Sequence, residues 1–173
     1  MRRTILITTT TLFTICAGLW IGGITAVGAF AAPAAFQALE GMERGGVPVA
    51  GEVVGAALRR FNAASVAFLA IMVAVSVFEA FYRKRRPAVP LLWARLLVVL
   101  AGFALCLYVG QVMMPAMEGQ RARLEMDAFG AMHARYRGIA LFQALLGALS
   151  LALTAAVNIG PRRDGGHPRV EPK

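Results

Sequence analysis

The residues of this chain whose types could do chemistry are a histidine and a run of methionines. His133 stands in the segment Phe129-Gly130-Ala131-Met132-His133-Ala134-Arg135-Tyr136, and Met113, Met114 and Met117 flank Pro115 earlier in the chain. Thioether sulfur and neutral imidazole are suitable ligands for Cu(I), and imidazole also binds haem iron. Phe129, Met132, His133 and Tyr136 fall at i, i+3, i+4 and i+7, one face of a helix. The same residues suit plain packing, since methionine fills irregular gaps and a histidine there can bond a helix-end carbonyl or a glutamate. His167, in the C-terminal tail, receives no role. The sequence has no phosphate loop, no G-x-S-x-G and no H-E-x-x-H, and no paired carboxylates lie deep in an apolar run. A non-enzymatic protein is expected, with copper or haem as the alternative.

The elements expected to hold these residues are membrane helices. The chain of 173 residues is 58 % hydrophobic, with a mean hydropathy of +0.65, too apolar for a domain that needs a polar surface. No charge falls between Thr4 and Leu39, Phe61 and Phe78, Leu96 and Met117, or Gly138 and Gly160. A helix needs roughly 20 residues to cross a hydrocarbon core of about 30 Å, so four spans are predicted, at about 4–32, 62–82, 91–114 and 138–158. The apolar runs are continuous rather than alternating, which excludes a β-barrel. The expected fold is all-α: an integral membrane four-helix bundle of two helical hairpins, with two amphipathic segments on the outer side. Residues 1–160 form the membrane domain, and 161–173, polar and rich in Gly and Pro, a flexible tail. Arg2-Arg3 and Ala29-Phe30-Ala31 also resemble the two ends of a signal peptide, but the apolar run is about twice the length of an h-region.

The net charge of +9 reads as membrane topology, and no nucleic-acid partner is expected. Arg2, Arg3, Arg83, Lys84, Arg85, Arg86, Arg162, Arg163, Arg169 and Lys173 flank one side, against Asp164 and Glu171. On the other side Arg44, Arg59, Arg60, Arg121, Arg123, Arg135 and Arg137 meet Glu40, Glu43, Glu52, Glu118, Glu125 and Asp127. The positive-inside rule then puts both termini and the Arg83–Arg86 loop in the cytoplasm, in a bacterial inner (cytoplasmic) membrane.

Several features set expectations for packing. Gly18 and Gly22, then Gly102, Cys106 and Gly110, then Ala144, Ala148 and Ala152 form small-residue faces suited to close helix contact. Thr8 to Thr11 and Thr14 could line a polar pore or bond carbonyls of the preceding turn. Cys16 lies 17 residues before Pro33 and Cys106 nine before Pro115, a depth difference of roughly 12 Å that argues against a disulfide. After Pro48, the apolar residues Val53, Val54, Ala57, Leu58 and Phe61 recur at helical spacing, as in a helix at the membrane surface or folded over the bundle. The preferred reading of the two charges inside the spans pairs Glu79 with Arg83 one turn on, while Arg95 snorkels to the interface. An interhelical Glu79–Arg95 pair is the alternative. The plan of span, proline, amphipathic segment, span occurs twice, which suggests a parallel repeat about an axis along the membrane normal.

Trp20 with its following glycines, Pro33-Ala34-Ala35-Phe36, Gly51-Glu52-Val53-Val54-Gly55 with Phe61, Pro115, and Phe129-x-x-x-His133 resemble the transmembrane protein 205-like domain, a domain of unknown function. The likeness covers about residues 10–158. It implies four membrane helices and no known reaction. The family often has a proline where Arg60 stands here and an asparagine near Ala140, which puts a polar His–Asn site in doubt. More distantly, the plan is similar to copper-resistance D-like membrane domains. The expected role is structural or accessory, in contact with the bilayer and with a second copy or a membrane partner. A copper- or haem-handling protein and a small-solute transporter are the alternatives.

Overall fold

The structure is a computed structural model that describes residues 2–40, 46–83 and 89–159. The tail at 161–173 with His167, the turn at Gly45, Met42 and most of the Arg83–Arg86 loop lie outside the described residues. All regular structure among the described residues is helical: α1 (Arg2–Thr25), a π-helical turn (Ala26–Ala31), α2 (Ala32–Leu39), α3 (Gly46–Tyr82), α4 (Val89–Tyr108), a second π turn (Val109–Met113), α5 (Met114–Ala122) and α6 (Met126–Ile159). They form four rods long and apolar enough to cross a membrane, at Arg3–Leu39, Val49–Tyr82, Val89–Ala122 and Met126–Asn158.

The rods outrun the expected spans. Each has 33 to 37 residues and so measures about 50 Å, against a hydrocarbon core of about 30 Å. The amphipathic segment before the second span is the first part of α3 rather than a separate surface helix, and Phe129–Tyr136 belongs to α6. Neither proline ends its rod. Proline has no N–H and its ring collides with the carbonyl four residues back. A π turn resolves that conflict by advancing the hydrogen bonds one residue. Ala32 N–H accordingly bonds the Val27 carbonyl, and Met114 N–H that of Val109. Gly28 and Gly110 each stand five residues before their proline, so the two halves share Gly-x-x-x-x-Pro-Ala at their π turns.

The rods close into a ring in which α1 and α4 each pack on both α3 and α6. The core follows a heptad: Ser65, Leu69, Met72, Ser76 and Glu79 on α3 alternate steps of four and three, and Leu92, Val99, Cys106 and Met113 on the third rod stand seven apart. Trp20, 1 % exposed, fills the centre. It crosses from α1 to Gly102 on the diagonal α4, where an added Cβ would stand 2.6 Å from the indole, and it also faces Gly147 on α6. Phe61 occupies the notch at Gly23 in the same way. The outside carries Ile7, Ile15, Leu19, Leu97, Leu141, Leu145 and many other exposed apolar side chains, as expected where lipid is the solvent.

Candidate functional site

The chemically richest place in the bundle is at the end holding the chain's start, and all four rods contribute to it. Glu79 and Arg95 are both fully buried. Arg95 Nη2 donates to Glu79 Oε2 at 3.1 Å, and Arg83, one turn along α3, approaches the same oxygen at 3.7 Å. The hydroxyls of Thr9 and Thr10 on α1 donate to Glu79 Oε1 at 2.7 and 3.3 Å. Arg95 Nη1 reaches Thr154 Oγ1 on α6 at 3.5 Å, and the Thr154 hydroxyl donates in turn to the Ser150 carbonyl at 2.8 Å. The Arg95 guanidinium lies over the Phe13 ring, 4.4 Å from its centroid, a cation–π geometry.

This geometry corrects the expectation that Arg95 snorkels. The interhelical pair forms because Arg95 lies on the heptad face of α4 with Leu92, Val99 and Gly102, so its side chain points into the ring. Both carboxylate oxygens of Glu79 are satisfied, which a charge held away from water requires. The threonine tract is split: Thr9 and Thr10 turn to Glu79, while Thr8 and Thr11 face outward.

The opposite end is held by ion pairs nearer the surface, Arg59 with Glu118, Arg121 with Glu52 and Arg123 with Glu125. Outside the spans, the hydrogen bond from Arg123 holds the Glu125 carboxyl below its usual range. Met113 and Met114 are buried, with Met117, Met132, Tyr136, Leu58 and Ile139 packed against them. His133 is on the exposed side of α6, its ring 6.0 Å from that of Phe129 and 6.3 Å from that of Tyr136. Among the described residues no three of His, Cys, Asp and Glu come together as a metal site. A metal held here would therefore rest chiefly on thioethers.

The small-residue faces divide. Gly102 and Gly110 are close-approach points, against Trp20 and the Asn62 side chain. Gly18 and Gly22 are not: a Cβ at either would meet nothing within 4 Å, because the inward face of α1 is the one bearing Phe13, Cys16, Ala17 and Trp20. On α6 the contact residue is Gly147; Ala144 is half-buried and Ala148 exposed. Cys16 and Cys106 are free and buried, and the Cys106 thiol donates to Asn62 Oδ1 at 3.4 Å.

A cavity of about 330 Å³ lies in the other half of the bundle, beneath the first π turn. Asn62, Ser65 and Gln143 line it together with Ile24, Phe61 and Ala144. Sequence reasoning passed over Ser65, Gln143, Ser150 and Thr154. The available signal was their spacing, since Gln143, Gly147, Ser150, Thr154 and Val157 follow one face of α6 through an otherwise apolar run.

Among known proteins, no curated protein and no solved structure matches the chain. A family model does, over residues 15–122, from the middle of α1 to the end of α5; α6 with His133 lies beyond the matched region. The match takes in the central Trp20, both π turns with their prolines, Phe61 and the Glu79–Arg95 pair, and on it the chain belongs to the family described as a domain of unknown function, DUF4149.

Proposed function

We propose that this protein is a non-enzymatic accessory protein of a bacterial inner membrane, with both termini cytoplasmic, whose bundle is locked at its inner end by the Glu79–Arg95 network. The observation that carries this reading is the saturation of Glu79. Arg95, Arg83, Thr9 and Thr10 occupy its two oxygens, leaving the carboxylate engaged with the bundle itself. A buried charge in a membrane helix is usually functional; here the function is to fix the register of four helices. The finer kinship, to the transmembrane protein 205-like domain, belongs to the same proposal. It is supported by the structural work of Trp20, Pro33, Phe61 and Pro115. The test separates a clamp from the transport alternative. Protein reconstituted in liposomes with an internal pH dye should show no proton flux above empty vesicles. Flux that Glu79→Gln abolishes would overturn the clamp and favour transport.

The copper reading keeps one favourable observation, the grouping of Met113, Met114, Met117 and Met132 in one cluster. Thioethers suit Cu(I), and His133, exposed on α6 next to Met132 in the chain, would be a further ligand. Under this reading the purified protein retains Cu(I), and Met113→Leu with Met114→Leu removes it. Copper retained by that double variant and lost in His133→Ala would instead assign the site to the histidine.

A further inference from the structure

We propose that the cavity beneath the first π turn is a binding site for the acyl carbonyl or carboxylate head of a single-chain amphiphile, which enters from the bilayer between the first rod and α6. Four observations carry it.

The first is the opening. α1 packs on α6, but beyond Thr25 the π turn and α2 pack chiefly on α3. The first rod therefore parts from α6 where the π turn redirects it. The lining residues that remain exposed, Thr25, Gly28 and Ala29 on one side and Arg137 and Leu141 on the other, belong to the two walls of that gap. They lie at the bundle's periphery, where the neighbouring molecule is lipid.

The second is a pair of unpartnered polar groups inside. Ser65 is 2 % exposed and Gln143 7 %, and neither Ser65 Oγ nor Gln143 Nε2 has a hydrogen-bond partner. Both line the cavity. A buried polar group without a partner is costly, and two on one cavity, from different rods, point to something that bonds them there. Gln143 Nε2 can only donate and a serine hydroxyl can donate, so the complementary atom is an acceptor oxygen.

The third is charge. Arg137 stands on α6 at the mouth, and makes no ion pair or hydrogen bond among the described residues. A cation beside two donors selects a carboxylate or a strongly polarised carbonyl over a hydroxyl head. The fourth is the apolar part of the wall, formed by Ile24, Val27, Leu58, Phe61, Val109 and Ala140, with Asn62 and Tyr136 as the further polar lining. A cavity of about 330 Å³ is at the small end of ligand sites, roughly 300–1,000 Å³. It accommodates a head and its first methylenes, with the rest of the chain left in the bilayer.

The experiment uses the full chain in phosphatidylcholine nanodiscs and a palmitic acid carrying a photoactivatable diazirine. Labelling, mapped by peptide mass spectrometry, should concentrate at residues 25–29 and 137–144. Unlabelled palmitate should displace it in either case; palmitate competing at lower concentration than lysophospholipid marks a free fatty acid as the occupant, and the reverse order marks the carbonyl of a membrane lipid. Ser65→Ala with Gln143→Leu should reduce labelling about tenfold, the loss of two hydrogen bonds to an acceptor head. Ala144→Phe, which fills the cavity, should do the same, while Leu97→Phe on the lipid-facing side of α4 should not. The Ser65/Gln143 variant removes unsatisfied groups, so its melting temperature should hold or rise, which keeps the result interpretable. Labelling spread evenly over lipid-facing residues overturns the proposal. So does labelling indifferent to all three cavity substitutions, or none at all in a wild-type protein that the double variant stabilises. In the last case the two polar groups are merely hydrated.

Discussion

Glu79→Gln removes one charge from a pair whose other member, Arg95, is fully buried. Breaking a buried pair from one side costs about 3–5 kcal/mol, because the remaining charge loses its partner. Replacing both, Glu79→Leu with Arg95→Met, should recover most of that loss, since packed apolar groups substitute well for a buried ion pair. Thermal unfolding in detergent measures both variants; a double variant as unstable as Glu79→Gln would mean that Arg83 and the threonines need the Glu79 carboxylate independently of Arg95. The glycines give a second contrast. Gly102→Leu drives a side chain into Trp20 and should cost about 1–3 kcal/mol or more. Gly18→Ile meets open space and should leave the melting temperature of the monomer unchanged.

At the scale of elements, the π turns and the tight connection between α5 and α6 set the geometry. Each π turn lets a rod continue past its proline, so that α2 and α5 extend the bundle outward instead of departing from it. The extension places Glu118 on α5 against Arg59, and Arg121 against Glu52. α5 and α6 are joined through Leu124, which has φ 60° and is 81 % exposed. A side chain in that left-handed region costs roughly 1–2 kcal/mol, and this leucine buries nothing in compensation. Leu124→Gly should therefore stabilise the protein by about 1 kcal/mol. An unchanged or lower melting temperature would show that the leucine packs against something outside the chain.

For the whole molecule, the two ends of the bundle differ in kind. The end holding the chain's start has a buried network in which one carboxylate serves three rods directly and a fourth through Arg95. The opposite end is held by ion pairs nearer the surface, which weaken with salt. Opening of the bundle should begin at the end held by the surface ion pairs: amide exchange at residues 115–130 should accelerate with ionic strength, while that at 76–80 and 93–97 should not. Orientation is tested separately. Reporters fused after Pro161 and within Arg83–Arg86 should be cytoplasmic, and one within Gly45–Pro48 exported. A cytoplasmic reporter at Gly45 would reverse the proposed topology.

Composition and the four uncharged runs determined the class of this protein, because a helix is the one continuous structure that satisfies its own backbone in lipid. The prolines and Trp20 were legible as special positions, and Cys16 and Cys106 as small packing residues. What each does depended on the partner across the bundle. Gly18 and Gly102 are the same residue in similar apolar runs, yet one faces outward and the other receives an indole. That difference is set by the rotation of each rod about its axis. Rotation also decided that Arg95 enters the ring, that Thr9 and Thr10 meet Glu79 while Thr8 and Thr11 do not, and that His133 is on an exposed side of α6. Side chains far apart in sequence converge only through tertiary packing, and in a membrane helix apolar on every side, hydrophobic periodicity is a weak guide to which face turns inward.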